Sequence, residues 1–404
     1  MSAACPACRR PGREGGVMRS ELISANHAAA HAATLAARAN RKGRGFCSGV
    51  YPITPSTECM ELLCAQEIEK GQVVRVEGEH SAMAVCIGSV AGGARSFTAT
   101  SSNGLAYMAE NVVAAALLRL PMVMMVANRT LGPPWNIWAD HGDSLLLRDS
   151  GWLQFYCADN QEVLDTILFA YRLGEDARVM LPVMVCQDGF VLSHTMAQTL
   201  IPAQEQVDRF LPPLSVSHRL ADQPHALGSV ILPQQTEVLR RRHHQAMGEA
   251  LNIYPELQRE FAEIFGRELP GPLVGYRDED AELLILSMGT LAGTVERSVD
   301  RLRERGVKVG SLRIRLLRPF PARLLREKLA RARRVAVLDR DISPGFGGVL
   351  WGECRTCAGA ETLVQNYMLG LGGGDVRPEH IEQLVDDLRG RESAGEPMIM
   401  EVGV

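Results

Sequence analysis

The sequence predicts an α/β protein built from two successive parallel-sheet domains. Three observations carry this. Short β-rich runs alternate with stretches of helical length. Several of those runs are apolar throughout rather than every second residue, as strands covered on both faces are. The alternation stops at a polar stretch with three prolines, Pro212 to Pro224, and resumes at Ala281.

In chain order, residues 1–18 are polar and Gly-rich without an apolar core, so they read as a disordered extension rather than a signal peptide, with Met18 an alternative start. Ser24 to Arg38 is Ala-rich with a serine available as N-cap, and predicts a helix. Val73–Val76 and Ser96–Thr100 predict strands, Leu105 to Arg119 a helix, and Met122–Val126 and Arg178–Cys186 buried strands. These make a first domain over 19–225. A helical linker follows at 226–277, where Gln235 to Arg267 reads as polar helices packed on the first domain. The second domain, 278–404, alternates strand Leu283–Ser287, helix Thr290–Arg305, strand Lys308–Ile314, helix Pro321–Ala332 and strand Val335–Asp339. Glycines then crowd the loops at Gly345–Gly348 and Gly370–Gly374.

Composition narrows the function classes. The 404 residues are 46% hydrophobic and 22% charged, an ordinary globular balance. A net charge of -4 leaves no footprint for nucleic acid. The arginine clusters Arg240–Arg242 and Arg331–Arg334 read as solvated helix faces. The longest apolar run, Val112 to Ala127, is broken by Arg119 and Pro121 and is too short for a bilayer. The 10 cysteines follow no disulfide framework, which fits a reducing, cytoplasmic setting. The pairs Cys5/Cys8 and Cys354/Cys357 lack the further ligands that a metal or cluster needs.

Chemistry in open parallel sheets gathers at the carboxyl ends of strands. That directs attention to Thr54, Glu79, Ser101–Gly104 and Asn128–Arg129. Taken alone, each has a plain structural reading: Glu79 as a surface-loop carboxylate, Arg129 as a strand-end salt bridge, Thr54 as a turn-stabilising hydroxyl. His141 reads as loop architecture near the site. His27 and His31 have metal-ligand spacing but lie on an Ala-rich helix with no third ligand, and Gly345-Phe-Gly347-Gly348 reads as a turn.

The segment Tyr51-Pro-Ile-Thr-Pro-Ser-Thr57 is followed, in order, by Glu79-His-Ser-Ala-Met-Ala-Val-Cys-Ile-Gly88, Thr98-Ala-Thr-Ser-Ser-Asn-Gly104, Asn128-Arg-Thr-Leu and Asn136-Ile-Trp-Ala-Asp-His-Gly-Asp143. Leu181-Pro-Val-Met-Val, Asp188-Gly-Phe, Arg313-Ile-Arg-Leu-Leu-Arg-Pro-Phe-Pro321, Val337-Leu-Asp-Arg-Asp-Ile and Gly370-Leu-Gly-Gly-Gly-Asp375 complete the series. From about residue 20 to the end, the chain resembles the α subunit of pyruvate (2-oxoacid):ferredoxin oxidoreductases of the four-subunit type. The resemblance implies a pyrimidine-type thiamine-diphosphate-binding domain, then a transketolase-C-like domain. It also implies thiamine-dependent oxidative decarboxylation of a 2-oxoacid, pyruvate first, with coenzyme A as cosubstrate, or the reverse carboxylation. An aromatic 2-oxoacid of the phenylglyoxylate type and a non-catalytic scaffold are the alternatives.

The chain has no Gly-Asp-Gly segment for Mg²⁺ and diphosphate; Gln187-Asp188-Gly189 is the nearest approach. By the resemblance, a β subunit holds Mg²⁺ and the diphosphate, [4Fe-4S] clusters sit on partner subunits, γ and δ subunits complete the complex, and ferredoxin or a related acceptor takes the electrons. Within this chain the resemblance implies that Glu79 bonds the aminopyrimidine N1′ of thiamine, with Glu77 the rival if the register differs. Arg129 pairs with the substrate carboxylate, Thr54 contacts substrate or cofactor, and Asn103 contacts the cofactor. Pro133, Pro134 and Trp135 depart from the smaller residues of pyruvate-type relatives, and so keep the aromatic substrate open.

Overall fold

The structure is a computed structural model that describes residues 18–220, 222 and 226–403. The pair Cys5/Cys8 and the first seventeen residues of the predicted extension therefore lie outside the described residues.

The first sheet has seven strands in the order Leu316–Arg318, Leu153–Tyr156, Val183–Asp188, Val123–Asn128, Arg95–Thr100, Phe46–Val50 and Gly71–Arg75. All neighbours run parallel except the edge strand Leu316–Arg318, which pairs antiparallel with Leu153–Tyr156. The three central strands are buried at every residue, as unbroken apolar runs require once helices cover both faces. One face packs on the Ala-rich helix Ala25–Ala39 and on Asn160–Gly174; Ser24 caps the former by accepting from the His27 backbone N–H. Two predicted boundaries shift. Arg178–Cys186 becomes Val183–Asp188, because Pro182 cannot donate into a ladder. Leu105–Arg119 splits at Met108 into helices Ser102–Tyr107 and Ala109–Leu117. The short first helix is held at the sheet edge through Gly104, while the second sends Val112, Ala115 and Ala116 into the core.

The linker is one helix, Pro233–Phe265, rather than several. At 33 residues it is about 50 Å long. Its second half buries Ile253, Tyr254, Leu257, Phe261 and Phe265 against the first sheet's helices, whereas its first turns, with Arg240–Arg242, are exposed. The other arginine cluster does not form a helix face: Arg331 and Arg333 are exposed in the turn after helix Ala322–Leu329, and Arg334 begins a strand.

The second sheet has six strands in the order Met398–Ile399, Leu363–Met368, Arg334–Asp339, Leu283–Ser287, Val309–Ile314 and Leu273–Tyr276, parallel except for the last. One strand crosses the expected division: after Val309–Ile314 the chain turns into Leu316–Arg318, which completes the first sheet. No helix among the described residues is long and apolar enough to cross a membrane.

Candidate active site

Every site candidate follows a parallel strand of the first sheet. Glu79 opens the helix Glu79–Ala91, four residues beyond strand Gly71–Arg75. Its carboxylate is half-buried and makes no hydrogen bond or ion pair among the described residues. Glycine at position 104 is what lets the wall close beside it. A Cβ there would fall 2.9 Å from Glu79 Cγ and 2.7 Å from both the Tyr51 hydroxyl and Ile53 Cδ1. The buried Tyr51 hydroxyl shares a 2.5 Å hydrogen bond with Thr100 Oγ1, and burial pushes its pKa well up. Glu77, the register rival, is exposed and accepts from the Ser81 hydroxyl at 2.5 Å.

Arg129 follows strand Val123–Asn128 and is half-buried. Its Nη1 donates to the Thr54 carbonyl at 2.8 Å, and its Nε is buried without a partner. The structure thus ties Arg129 to Thr54 through backbone, while the threonine side chain stands on an exposed residue. Asn103 Oδ1 accepts from the Gly132 N–H at 3.0 Å, which joins the loop after Thr100 to the loop after Asn128. Thr54, Glu79, Asn103 and Arg129 therefore occupy one edge, linked by direct contacts through Ile53, Gly104 and Gly132.

Beneath that edge lies a carboxylate that the sequence reading did not single out. Asp143 Oδ2 accepts from the backbone N–H of Ser102 at 2.8 Å and of Arg129 at 3.0 Å. Its Oδ1 accepts from Asn128 Nδ2 at 2.8 Å and from the Ser144 N–H at 2.7 Å. Burial lifts its pKa to about 6 in spite of these donors. Its position at the end of the Asp-His-Gly-Asp stretch was the available signal.

His141 is buried, and its Nε2 lies 2.8 Å from Asp188 Oδ1. Asp188 Oδ2 also accepts from Arg340 Nη1 at 2.8 Å and from the Thr290 hydroxyl, both beyond the linker. Burial alone would raise this carboxyl, but His141, Arg340 and Thr290 together hold it well below the usual carboxylate range. So the Gln-Asp-Gly stretch, read only as an incomplete diphosphate motif, clamps the second sheet to the first.

The glycine loops contribute differently. At Gly348 the short helix Val349–Arg355 begins, but Asp339 already takes the Leu350 N–H at 2.7 Å and the Trp351 N–H at 3.2 Å. A carboxylate of the chain itself fills the place a phosphate would take, in keeping with the turn reading. The Gly370–Gly374 loop reaches the site: Asn136 Nδ2 donates to the Gly372 carbonyl at 3.0 Å, and a Cβ on Gly373 would sit 2.4 Å from Trp138 Cβ. Gly372 and Gly373 both have positive φ, so glycine is needed there twice over. Trp135 and Trp138 are 68% and 51% exposed and stand on the rim rather than inside an enclosed pocket. Cys354 and Cys357 are buried, and no group of three or more His, Cys, Asp or Glu among the described residues is arranged to hold a metal ion.

The residues present fit the aminopyrimidine half of a thiamine cofactor. A half-buried, unpaired carboxylate gathers at Gly104 with Ile53 Cδ1 and the Tyr51 hydroxyl. Two family models match the chain: pyruvate flavodoxin/ferredoxin oxidoreductase, thiamine diphosphate-binding, over residues 42–259, and pyruvate:ferredoxin oxidoreductase core domain II over 281–381. The chain is 44% identical over 369 residues to pyruvate synthase subunit PorA of Methanothermobacter thermautotrophicus, covering 90% of this chain and 94% of the relative. It is 43% identical over 379 residues to ketoisovalerate oxidoreductase subunit VorA of Pyrococcus furiosus, covering 91% and 93%. Among solved structures, the 2-oxoglutarate:ferredoxin oxidoreductase from Magnetococcus marinus, with 2-oxoglutarate, coenzyme A and succinyl-CoA bound, superposes with a TM-score of 0.69. It shares 21% identity and covers 96% of this chain and 68% of that one.

Proposed function

Because this chain belongs to the pyruvate:ferredoxin oxidoreductase family and is a subunit of a 2-oxoacid:ferredoxin oxidoreductase, we propose that it supplies the aminopyrimidine and substrate-carboxylate half of the site in a pyruvate-oxidising or pyruvate-forming complex. Glu79 carries the proposal: an unpaired carboxylate beside Gly104 at the carboxyl edge of the sheet. Thiamine diphosphate, when bound, supplies the carbon nucleophile for the 2-keto group. Glu79 then holds a proton at ring nitrogen N1′. Arg129 pairs with the carboxylate that leaves as CO₂. Thr54 and Asn103 border substrate and cofactor.

The remaining assignments rest on membership of the family. We place Mg²⁺ and the diphosphate on a partner β subunit and the [4Fe-4S] clusters on partner chains. We take coenzyme A as acyl acceptor and ferredoxin as electron acceptor, with γ and δ subunits completing a cytoplasmic complex. The exposed rim of Tyr107, Trp135, Ile137 and Trp138 fits burial by such a partner. The division 19–225, 226–277 and 278–404 remains our domain proposal, with Leu316–Arg318 lent to the first sheet.

Glu79→Gln in the assembled complex tests the assignment. Loss of a positioned proton-holding group lowers turnover by roughly 10²–10⁴, whereas Glu77→Gln leaves it near wild type. Wild-type decarboxylation by the Glu79 variant would move the role elsewhere.

A further inference from the structure

Asp143 is 1% exposed. Three of its four donors belong to the two strand ends that carry the proposed site, and the fourth is the N–H of the next residue, Ser144. Oδ2 bridges the backbone N–H of Ser102, next to Asn103, and the backbone N–H of Arg129 itself. Oδ1 takes the side chain of Asn128 and the N–H of Ser144. Ser102 is held at φ 48°, a left-handed conformation that a residue with a Cβ adopts only under constraint. The Asp143 carboxylate and the Thr130 carbonyl, which accepts from the Ser102 hydroxyl, supply that constraint. One oxygen thus sets the origin of the arginine and of the helix that carries Asn103.

We propose that Asp143 is a positioning residue for Arg129, aiming the guanidinium at the 2-oxoacid carboxylate without touching substrate; this rests on the reading of Arg129 as the carboxylate anchor. Misplacing an anchoring group by about 1 Å costs on the order of 100-fold. Asp143→Asn keeps one oxygen for Ser102 and Arg129, and Asn128, whose Oδ1 has no partner, can turn its amide and accept from the new NH₂; the Ser144 N–H, which donates to Oδ1, then loses its acceptor.

The test is a double-mutant cycle on the assembled complex, reading KM for the 2-oxoacid, kcat and thiamine diphosphate affinity. Asp143→Ala is expected to raise KM about 10- to 100-fold, more than it weakens cofactor affinity through Asn103, and Asp143→Asn to restore part of the loss. If Asp143→Ala does not assemble, Asp143→Ser, too short to reach all four donors, takes its place. Arg129→Met raises KM by itself, and adding the Asp143 change raises it no further, since Asp143 acts through that side chain. Fully multiplicative effects would overturn the Asp143 proposal and leave the Arg129 reading standing. An unchanged KM in Arg129→Met would overturn both.

Discussion

Arg129 is asked to be both fixed and available. Its backbone is pinned by Asp143 and one guanidinium nitrogen by the Thr54 carbonyl, while Nε has no protein partner. A planar fork held on one side keeps its other donors for a carboxylate. Arg129→Met is therefore expected to raise KM for the 2-oxoacid by roughly 10- to 150-fold, the worth of one charge-assisted contact of about 1.5–3 kcal/mol. Arg129→Lys should recover only part of this, because an ammonium lacks the fork. Steady-state kinetics and a cofactor titration on the same complex check it. A collapse of thiamine affinity at constant KM would make Arg129 a cofactor or structural residue. Thr54 serves first through its carbonyl, a contribution that a side-chain reading of the sequence could not register.

Among the elements, the junction of helix Asn160–Gly174, the long linker helix and strand Val309–Ile314 is built on buried charge. Glu162 accepts from Arg313 Nη1 at 2.9 Å and from Arg315 Nε, and Arg315 also reaches the Tyr254 hydroxyl and, at 2.6 Å, Thr166. Burial would push the Glu162 carboxyl up, but Arg315 and Arg313 outweigh it and hold it below its ordinary value. The folded pKa lies below the unfolded one, so the stability is fully present above about pH 4.3 and is lost as pH falls through the folded value. Glu162→Gln strands two buried arginines, so we expect a loss of about 3–5 kcal/mol. It should appear as a lower Tm, and the gap to wild type should narrow as pH falls below about 4. Thermal melts across pH check it. A Tm unchanged at pH 7 would show the pair to be neutral to stability.

Across the whole molecule, two sheets converge on one edge. The Asp188 clamp and the Asn136–Gly372 contact hold the second sheet's loops against the site loops of the first. The result presents one unpaired carboxylate and one arginine on an aromatic rim, with no metal-binding group among the described residues. The isolated chain is accordingly expected to bind thiamine diphosphate weakly and without Mg²⁺ dependence, with tight binding appearing only on addition of the partner. Calorimetry on each decides it. Tight, Mg²⁺-dependent binding by the chain alone would defeat the split-site reading.

Much of this was legible in the chain itself. Apolar runs such as Met122–Val126, set between stretches of helical length, point to a covered parallel sheet, and Ser24 before an Ala-rich stretch marks a helix start, because these are local consequences of burial and capping. The strand-end positions of Glu79 and Arg129 followed from the same reasoning. Other features depended on tertiary structure. The transfer of Leu316–Arg318 into the first sheet and the hubs at Asp143 and Asp188 join residues far apart in sequence. A buried carboxylate looks like any other in a sequence. Which backbone N–H groups it meets, and whether it ends as ligand, clamp or positioning group, is decided only when the strands bring their ends together and exclude water.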